Sequence, residues 1–103
     1  MAAWKVAYSE TCRNQVRFLA PSMKSVIKQR IEEIREDPYV GKPLERELSG
    51  IYSHRARRFR ILYTIDSTSH IIQLHYVGHR KDIYELFKNL LAEIHGTGGE
   101  PSR

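Results

Sequence analysis

Residues 59–77 read FRILYTIDSTSHIIQLHYV, and this stretch decides the fold. Its first part, Phe59–Ile65, is rich in aromatic and β-branched side chains, which favour a strand. Asp66–Ser69 is a polar turn, and His70–Val77 is a second run with the composition of a strand. Two neighbouring strands with a short polar connection form an antiparallel hairpin. The stretch therefore predicts a β-hairpin within an antiparallel sheet.

Two more segments with strand character lie before this hairpin. Ile51–Arg57 is one of them, and Trp4–Tyr8 alternates large apolar residues with smaller or polar ones. Residues 39–50 are predicted to be irregular, because proline and glycine recur in and around them. The sheet should therefore contain three strands that follow one another in sequence and a first strand that lies far from them in sequence.

The other segments show the spacing of amphipathic helices. A first helix follows Ser9, which is a suitable N-cap, and ends before Pro21. A second helix is predicted over Ser22–Glu36, because the Asp-Pro pair at 37–38 stops it. A last helix is predicted from about Asp82 to the glycine at position 96.

The predicted element order is βααβββα, which is an α+β fold. We expect a small antiparallel sheet of about four strands with an N-terminal helical hairpin and a C-terminal helix. The helices should lie on one face, so that the other face, or part of it, stays free. Residues 1–95 are expected to form a single domain, and residues 96–103 a disordered tail.

Composition and charge restrict the classes of function. The 103 residues are 41% hydrophobic and 28% charged, which is normal for a folded soluble domain, and the net charge is +5. A basic surface attracts polyanions, although a basic domain without a polyanionic partner fits this charge equally well. Cys12 is the one cysteine, so no internal disulfide forms, and no spacing typical of a metal site is present. No segment is apolar for long enough to span a membrane, and we expect a cytoplasmic protein without a metal or cofactor.

Cationic side chains are concentrated in the middle of the chain. Four arginines and a histidine lie within residues 54–60, and Arg80 and Lys81 follow the third strand. Residues two apart on a strand share a face, so several of these arginines can converge on one surface suited to phosphate. The same residues also fit a solvated basic face with ion pairs to Glu45, Glu47 or Asp82.

Two motifs in the chain resemble those of the RelE/ParE toxin superfamily. Residues 52–63, YSHRARRFRILY, look like its pattern of a tyrosine, alternating basic residues, and then aromatic-Arg-aliphatic-aliphatic-Tyr. Residues 78–84, GHRKDIY, look like its closing motif, and Leu44, Leu48 and Gly50 fit the loop before the first motif. The resemblance extends from about Trp4 to Ile94 and implies the RelE-like fold.

The resemblance implies a toxin of a type II toxin–antitoxin system. RelE-like members cleave messenger RNA on the ribosome, whereas ParE-like members inhibit DNA gyrase, and the shared fold does not decide between them. The retained basic residues and tyrosine favour a metal-independent endoribonuclease that inhibits translation. The alternatives are a ParE-like gyrase inhibitor and an inactive module that only binds its antitoxin. The implied partners are a cognate antitoxin, the ribosome and messenger RNA.

Carried over by position, the resemblance also implies site residues. Arg60 and Arg80 match phosphate-stabilising arginines, Arg55 matches a basic strand position, and Tyr84 matches a tyrosine that stacks on a base or donates a proton. Cleavage of RNA by its own 2′-hydroxyl needs a proton acceptor, stabilisation of charge on the phosphate, and a proton donor. Further residues are predicted to bind RNA: Ser53, His54, Arg57, Arg58 and Lys81.

The proton acceptor is the open part of this assignment. Ser53 stands where RelE-like nucleases often carry a basic residue, and an arginine hardly ever deprotonates. His79 or His54 could act instead, because imidazole titrates near neutral pH. Packing of His54 beside Tyr52, or a purely orienting role for His79, remains an equally open interpretation.

Overall fold

The computed structural model describes residues 4–79 and 83–89 of the chain. Within them, five strands form one sheet in the order β1-β5-β4-β3-β2. Strand β1 runs parallel to β5, and the other neighbours pair antiparallel. The strands are β1 (Lys5–Tyr8), β2 (Lys42–Pro43), β3 (Ile51–Ala56), β4 (Phe59–Asp66) and β5 (Ile71–His79).

Helices α1 (Glu10–Arg17) and α2 (Pro21–Glu36) follow β1, and residues 83–89 are also helical and are termed α3. The Oγ of Ser9 accepts a hydrogen bond from the amide of Cys12 at 3.0 Å, which caps α1 as predicted. Pro21 occupies the first turn of α2, where its missing N–H costs nothing. None of the helices described here is long and apolar enough to cross a membrane.

The predicted fold class and element order are confirmed, with differences in detail. The sheet is mixed, because β1 pairs parallel with β5. Alternation of apolar and polar residues identifies a strand but carries no information on its direction. No hairpin joins β1 to β5 that would make their pairing antiparallel. The two-residue β2 adds a fifth strand that is too short to show a pattern. Strand β5 also continues through Gly78 to His79, because Gly78 pairs with Arg60 on β4.

Helices α1 and α2 cover one face of the sheet, which we call the helix-pair face. Ile27, Ile31 and Ile34 of α2 point at it with helical spacing and are almost fully buried. Cys12 of α1 is fully buried there, and burial raises the pKa of its thiol to about 12, which suits a core residue. The buried core on this face consists of Cys12, Val26, Ile27, Ile31, Ile34, Ala56, Ile61, Tyr63, Ile72, Leu74 and Val77.

Helix α3 lies on the opposite face, so the expectation that all helices share one face is wrong. Ile83 and Phe87 of α3 pack against Ile51 and Leu62, and all four are buried. The physical reason lies in β4, where the adjacent residues Ile61 and Leu62 are both fully buried. Because adjacent strand residues point to opposite faces, both faces of β4 need an apolar cover. We call this second surface the α3 face.

A register shift between β4 and β5 changes which side chains reach the α3 face. Leu62 pairs with Tyr76, whereas Tyr63 pairs with Leu74, so His75 is the extra residue of a bulge. The rings of His75 and Tyr76 lie 5.9 and 5.8 Å from the ring of Phe87. The bulge therefore directs two consecutive side chains of β5 towards α3.

Tyr63 fixes the loop between α2 and β3 from inside the core. Its hydroxyl donates to the carbonyl of Pro38 at 2.6 Å and accepts from the amide of Gly41 at 3.1 Å. A Cβ on Gly41 would lie 2.4 Å from this hydroxyl, so only glycine allows the close approach. Burial raises the pKa of Tyr63 to about 12, which keeps the phenol protonated. These two hydrogen bonds of Tyr63, which we call the Tyr63 anchor, hold the chain in place directly before β2.

Candidate functional site

A three-residue hydrogen-bonded cluster lies on the α3 face. The Nη1 of Arg60 on β4 donates to the Oγ of Ser53 on β3 at 3.0 Å. The hydroxyl of Tyr84 on α3 donates to the same oxygen at 3.1 Å. Ser53 is only 1% exposed, so its Oγ faces these two side chains rather than solvent. Three separate elements thus meet at one serine oxygen, and we call Ser53, Arg60 and Tyr84 the serine cluster.

The guanidinium of Arg60 is held in a strongly cationic setting. Arg55 of β3 is the direct cross-strand partner of Arg60, and its side chain is exposed. Like charges directly opposite each other destabilise a sheet unless an anion lies between them. The Nε of Arg60 is buried and has no hydrogen-bond partner among residues 4–79 and 83–89. A planar fork of donors with unused capacity suits a phosphate group.

Two further charged residues lie beside the cluster, in a surface groove of about 400 Å³. Lys42 pairs with Ser53 across β2 and β3, so its side chain is on the α3 face. Glu45 supplies a carboxylate to the same groove. The complete lining is Lys42, Pro43, Leu44, Glu45, Leu48, Arg60 and Tyr84. Sequence reasoning did not select Lys42 or Glu45 for the site, because nothing in the irregular segment 39–50 indicates that β2 brings it beside β3.

The two histidines considered as bases lie on the helix-pair face, away from the serine cluster. The Nε2 of His54 is 2.8 Å from the Oε1 of Glu33 on α2, and this hydrogen bond lowers the pKa of the Glu33 carboxyl. His79 pairs with Phe59 across β4 and β5, with their ring centroids 4.9 Å apart. The hydrogen bond between His54 and Glu33 agrees with the interpretation in which His54 is packed rather than catalytic.

The predicted basic residues divide between two surfaces rather than converging on one. Arg55 and Arg60 are on the α3 face, whereas Arg57 and Arg58 form the turn between β3 and β4. These two turn arginines line a different groove, together with residues of the α1–α2 connection. Arg80 and Lys81, which were also predicted for the site, lie outside the described residues.

The described residues contain no group of three or more His, Cys, Asp and Glu side chains that could hold a metal ion. The polar groups that the α3 face presents are the guanidinium of Arg60, the phenol of Tyr84, the hydroxyl of Ser53, and the charged groups of the groove. These groups can bind an anion, donate protons to it, and present a carboxylate beside it.

A protein-family model described as "ParE toxin of type II toxin-antitoxin system, parDE" matches residues 1–84. The chain belongs to the RelE/ParE toxin superfamily. The match includes the serine cluster and ends at Tyr84. The resemblance predicted from the two sequence motifs is therefore confirmed.

A named relative and a solved structure, each more than 30% identical to this chain, support the same family assignment. Toxin RelG of Mycobacterium tuberculosis is 35% identical over 83 residues, which are 79% of this chain and 95% of that protein. A chain in the crystal structure of the toxin–antitoxin complex RelBE2 from the same species is 32% identical. It has a TM-score of 0.71, and the match covers 78% of this chain and 94% of that one.

The fold is also that of a more distant RelE/ParE toxin. The isolated Escherichia coli RelE toxin has a TM-score of 0.67 at 20% identity, with 85% of this chain and 99% of that chain covered. The intact E. coli RelBE toxin–antitoxin complex gives a TM-score of 0.67 at 19% identity, with 75% and 96% covered. At these identities the likeness concerns the fold alone, and it agrees with the mixed five-stranded sheet.

Proposed function

We propose that this RelE/ParE toxin is a metal-independent endoribonuclease that cleaves messenger RNA on the ribosome and so inhibits translation. The observation that carries the proposal is the serine cluster, which places the guanidinium of Arg60 and the phenol of Tyr84 in the lining of one groove. The cluster brings a guanidinium and a phenol together at the edge of a groove, which is an arrangement suited to binding and protonating a phosphate.

In the proposed reaction, the 2′-hydroxyl of the RNA loses its proton to a base and its oxygen attacks the adjacent phosphorus. The bond from phosphorus to the 5′-oxygen of the next nucleotide breaks, that oxygen takes up a proton, and the products are a 2′,3′-cyclic phosphate and a 5′-hydroxyl. Arg60 donates hydrogen bonds to the phosphate oxygens and stabilises the charge that develops there. Tyr84 donates a proton or stacks on the neighbouring base, and Ser53 fixes both side chains through its Oγ. Arg55 and Arg80 complete the basic surface, as the family resemblance implies.

The proposed base is the carboxylate of Glu45. A general base must lie within reach of the 2′-hydroxyl, and Glu45 is the carboxylate among the described lining residues of the groove. Lys42, in the same lining, attracts the RNA backbone by its charge. His79 remains a candidate only if the RNA extends round the end of β5 to the helix-pair face.

The proposed partners are a cognate antitoxin, the ribosome and messenger RNA, and the proposed location is the cytoplasm. Structural relatives crystallised as toxin–antitoxin complexes support the antitoxin. The net charge of +5 supports an RNA partner, because neutralised phosphates release their counterions.

A second candidate function is inhibition of DNA gyrase. The family model that matches the chain is described as a ParE toxin, and this description favours the alternative. In this case the serine cluster would stabilise α3 without taking part in any reaction. A third possibility, an inactive antitoxin-binding module, predicts no growth inhibition at all.

The test is induction of the chain in bacteria without its antitoxin. Protein and DNA synthesis are followed by pulse labelling, and cuts in an abundant message by primer extension. Rapid loss of protein synthesis with new cuts inside translated codons supports the nuclease. Loss of DNA synthesis with intact messages identifies a gyrase inhibitor, and no effect on either identifies an inactive module.

The matched variants are Arg60→Ala and Arg35→Ala. Arg60→Ala should slow cleavage by about a hundredfold or more and abolish growth inhibition, because it removes the phosphate donors. Arg35 lies on α2 in an exposed ion pair with Glu32, so Arg35→Ala should stay toxic. Full toxicity of a folded Arg60→Ala variant would contradict the proposed site.

A further inference from the structure

A groove of about 280 Å³ lies where α1 and α2 meet the end of β1, and we call it the helix groove. Its lining residues are Tyr8, Arg13, Val16, Arg17, Lys24 and Lys28. None of them belongs to the lining of the groove beside the serine cluster. The proposed RNA chemistry therefore leaves the helix groove unused.

The helix groove has an apolar floor and cationic walls. Tyr8 and Val16 pack on the core of the helix-pair face and remain partly accessible, so they form the floor. Each helix supplies one wall with two cations. These are Arg13 and Arg17 on α1, and Lys24 and Lys28 on α2.

The cations of each wall repel one another. On both helices the two positive charges are four residues apart, which places them on the same side of the helix and about 6 Å apart along its axis. None of the four makes an ion pair with a residue in the described ranges, and the lining contains no carboxylate from those ranges. An anion held between the walls would offset this repulsion.

The free positive charge is confined to about two helical turns. The next turn of α2 after Lys28 carries Glu32, which forms an ion pair with Arg35, and the first turn of α1 carries Glu10. A nucleic-acid strand draws its affinity from a cationic groove that follows its backbone over several nucleotides. The helix groove is too short for such a course and suits a compact anion with several charges.

Phosphate groups linked in a short chain match this arrangement. Such a chain carries several negative charges close together, so both walls can contact it at once. Arginine offers a planar pair of donors to phosphate oxygens, and lysine offers a point charge. Burial, with smaller contributions from Cys12 and Glu32, raises the pKa of Tyr8, so its phenol stays protonated and can donate a hydrogen bond from the floor.

We propose that the helix groove binds a linear polyphosphate, either as an inorganic chain or as the polyphosphate group of a nucleotide. The proposed site is independent of the proposed nuclease, since the two share no residue. The bound anion would join α1 to α2 and so stabilise the helix pair. It would leave the serine cluster accessible, because that cluster lies on the opposite face of the sheet.

The experiment measures binding of inorganic tripolyphosphate to the purified chain by isothermal titration calorimetry at low salt. The groove variant is Lys24→Gln with Lys28→Gln. The control is Lys5→Gln with Arg46→Gln, which makes the same change in net charge at exposed residues outside the lining. Urea unfolding without the anion checks that both variants are folded.

The wild type and the control should bind one tripolyphosphate each, and orthophosphate far more weakly, because a single phosphate cannot contact both walls. The dissociation constant of the groove variant should rise by about tenfold or more, because two charged donors are lost. Tripolyphosphate should also raise the urea midpoint of the wild type more than that of the groove variant. Tighter binding of ATP than of tripolyphosphate assigns the groove to a nucleotide, and equal binding assigns it to the phosphate chain alone.

Three outcomes would overturn the inference. The first is a wild type that does not bind tripolyphosphate. The second is equal weakening in the groove variant and the control, which would mean that net charge alone attracts the anion. The third is a groove variant that keeps its affinity for tripolyphosphate but loses affinity for a single-stranded RNA, which would assign the helix groove to a nucleic-acid strand.

Discussion

The hydroxyl of Ser53 accepts hydrogen bonds from both Arg60 and Tyr84. A serine hydroxyl has two acceptor positions and one proton, so it can hold both donors and still donate once. A lysine at this position would have no acceptor and would face the Arg60 guanidinium with like charge. The departure from the usual basic residue is therefore compatible with an organised site, in which serine orients two functional groups.

Replacement of Ser53 by alanine should disorganise the site more than the fold. With the shared acceptor gone, Arg60 and Tyr84 lose their fixed geometry, and we expect RNA cleavage to slow by about ten- to a hundredfold. The KM should change less than kcat, because the charge of Arg60 remains. Single-turnover cleavage of a ribosome-bound message measures this effect. Ser49→Ala, in the exposed loop before β3, is the control.

Tyr63→Phe should destabilise the protein, because two buried backbone groups lose their partner. The carbonyl of Pro38 and the amide of Gly41 both depend on the Tyr63 hydroxyl. We expect the free energy of unfolding to fall by about 1–3 kcal/mol, as measured by urea denaturation. Tyr52→Phe is the matched control, since its ring stacks on Tyr63 at 5.7 Å and would be retained. Equal stability of Tyr63→Phe and the wild type would refute the anchoring role.

The sequence was informative about the positions of candidate site residues wherever the motif lies on a regular strand. Arg60 and Ser53 were predicted to share surfaces with their strand neighbours, and the α3 face carries both. Lys42 and Glu45 were not found, because their place beside the cluster depends on the Tyr63 anchor, which acts over 22 residues of chain. A contact of this kind leaves no local pattern.

At the scale of elements, a half-buried histidine of β5 lies against α3. The Nε2 of His75 is hydrogen bonded to the Oγ1 of Thr64 at 2.9 Å, and its ring lies below Phe87 of α3. Burial lowers the pKa of His75 below its ordinary value of 6.5. The folded state therefore favours the neutral ring, while the unfolded chain binds a proton as the pH falls through this value.

Acidification should consequently reduce stability through His75. Because the folded pKa is lowered, its contribution is fully present above the unfolded pKa and is lost as the pH falls below it. We expect the free energy of unfolding to decline as the pH falls below about 6.5, and to decline less in His75→Gln. Identical slopes for His75→Gln and the wild type would rule out this linkage.

The elements themselves were largely predictable, and their arrangement was less so. The Ile27, Ile31 and Ile34 stripe predicted α2 and its buried face, because a helix has one dominant period. The position of α3 on the second face was missed. The position of α3 depends on Leu62, which α3 covers. In the sequence, Leu62 lies within an apolar run, and nothing there separates it from the neighbouring residues that point to the other face.

For the whole molecule, the proposed binding to RNA should weaken steeply with salt, because cationic side chains that neutralise phosphates release counterions. On a single strand, the logarithm of affinity falls with the logarithm of salt by about 0.7 for each phosphate neutralised. Arg60→Ala should therefore reduce this slope by about 0.7, as measured by fluorescence anisotropy over a salt series. Arg35→Ala should not change it. An unaltered slope in Arg60→Ala would mean that Arg60 does not contact a phosphate.

The parallel pairing of β1 with β5 also affects how the chain folds during its own synthesis. Val6 pairs with Ile72, and Tyr8 pairs with Leu74, so the first strand must wait for the last one. Pairings between residues so far apart in the chain form late. The core of the helix-pair face contains Ile72 and Leu74 and cannot close earlier. A nascent chain that lacks β5 therefore has no complete fold, and the domain can close only after Ile72 and Leu74 have left the ribosome.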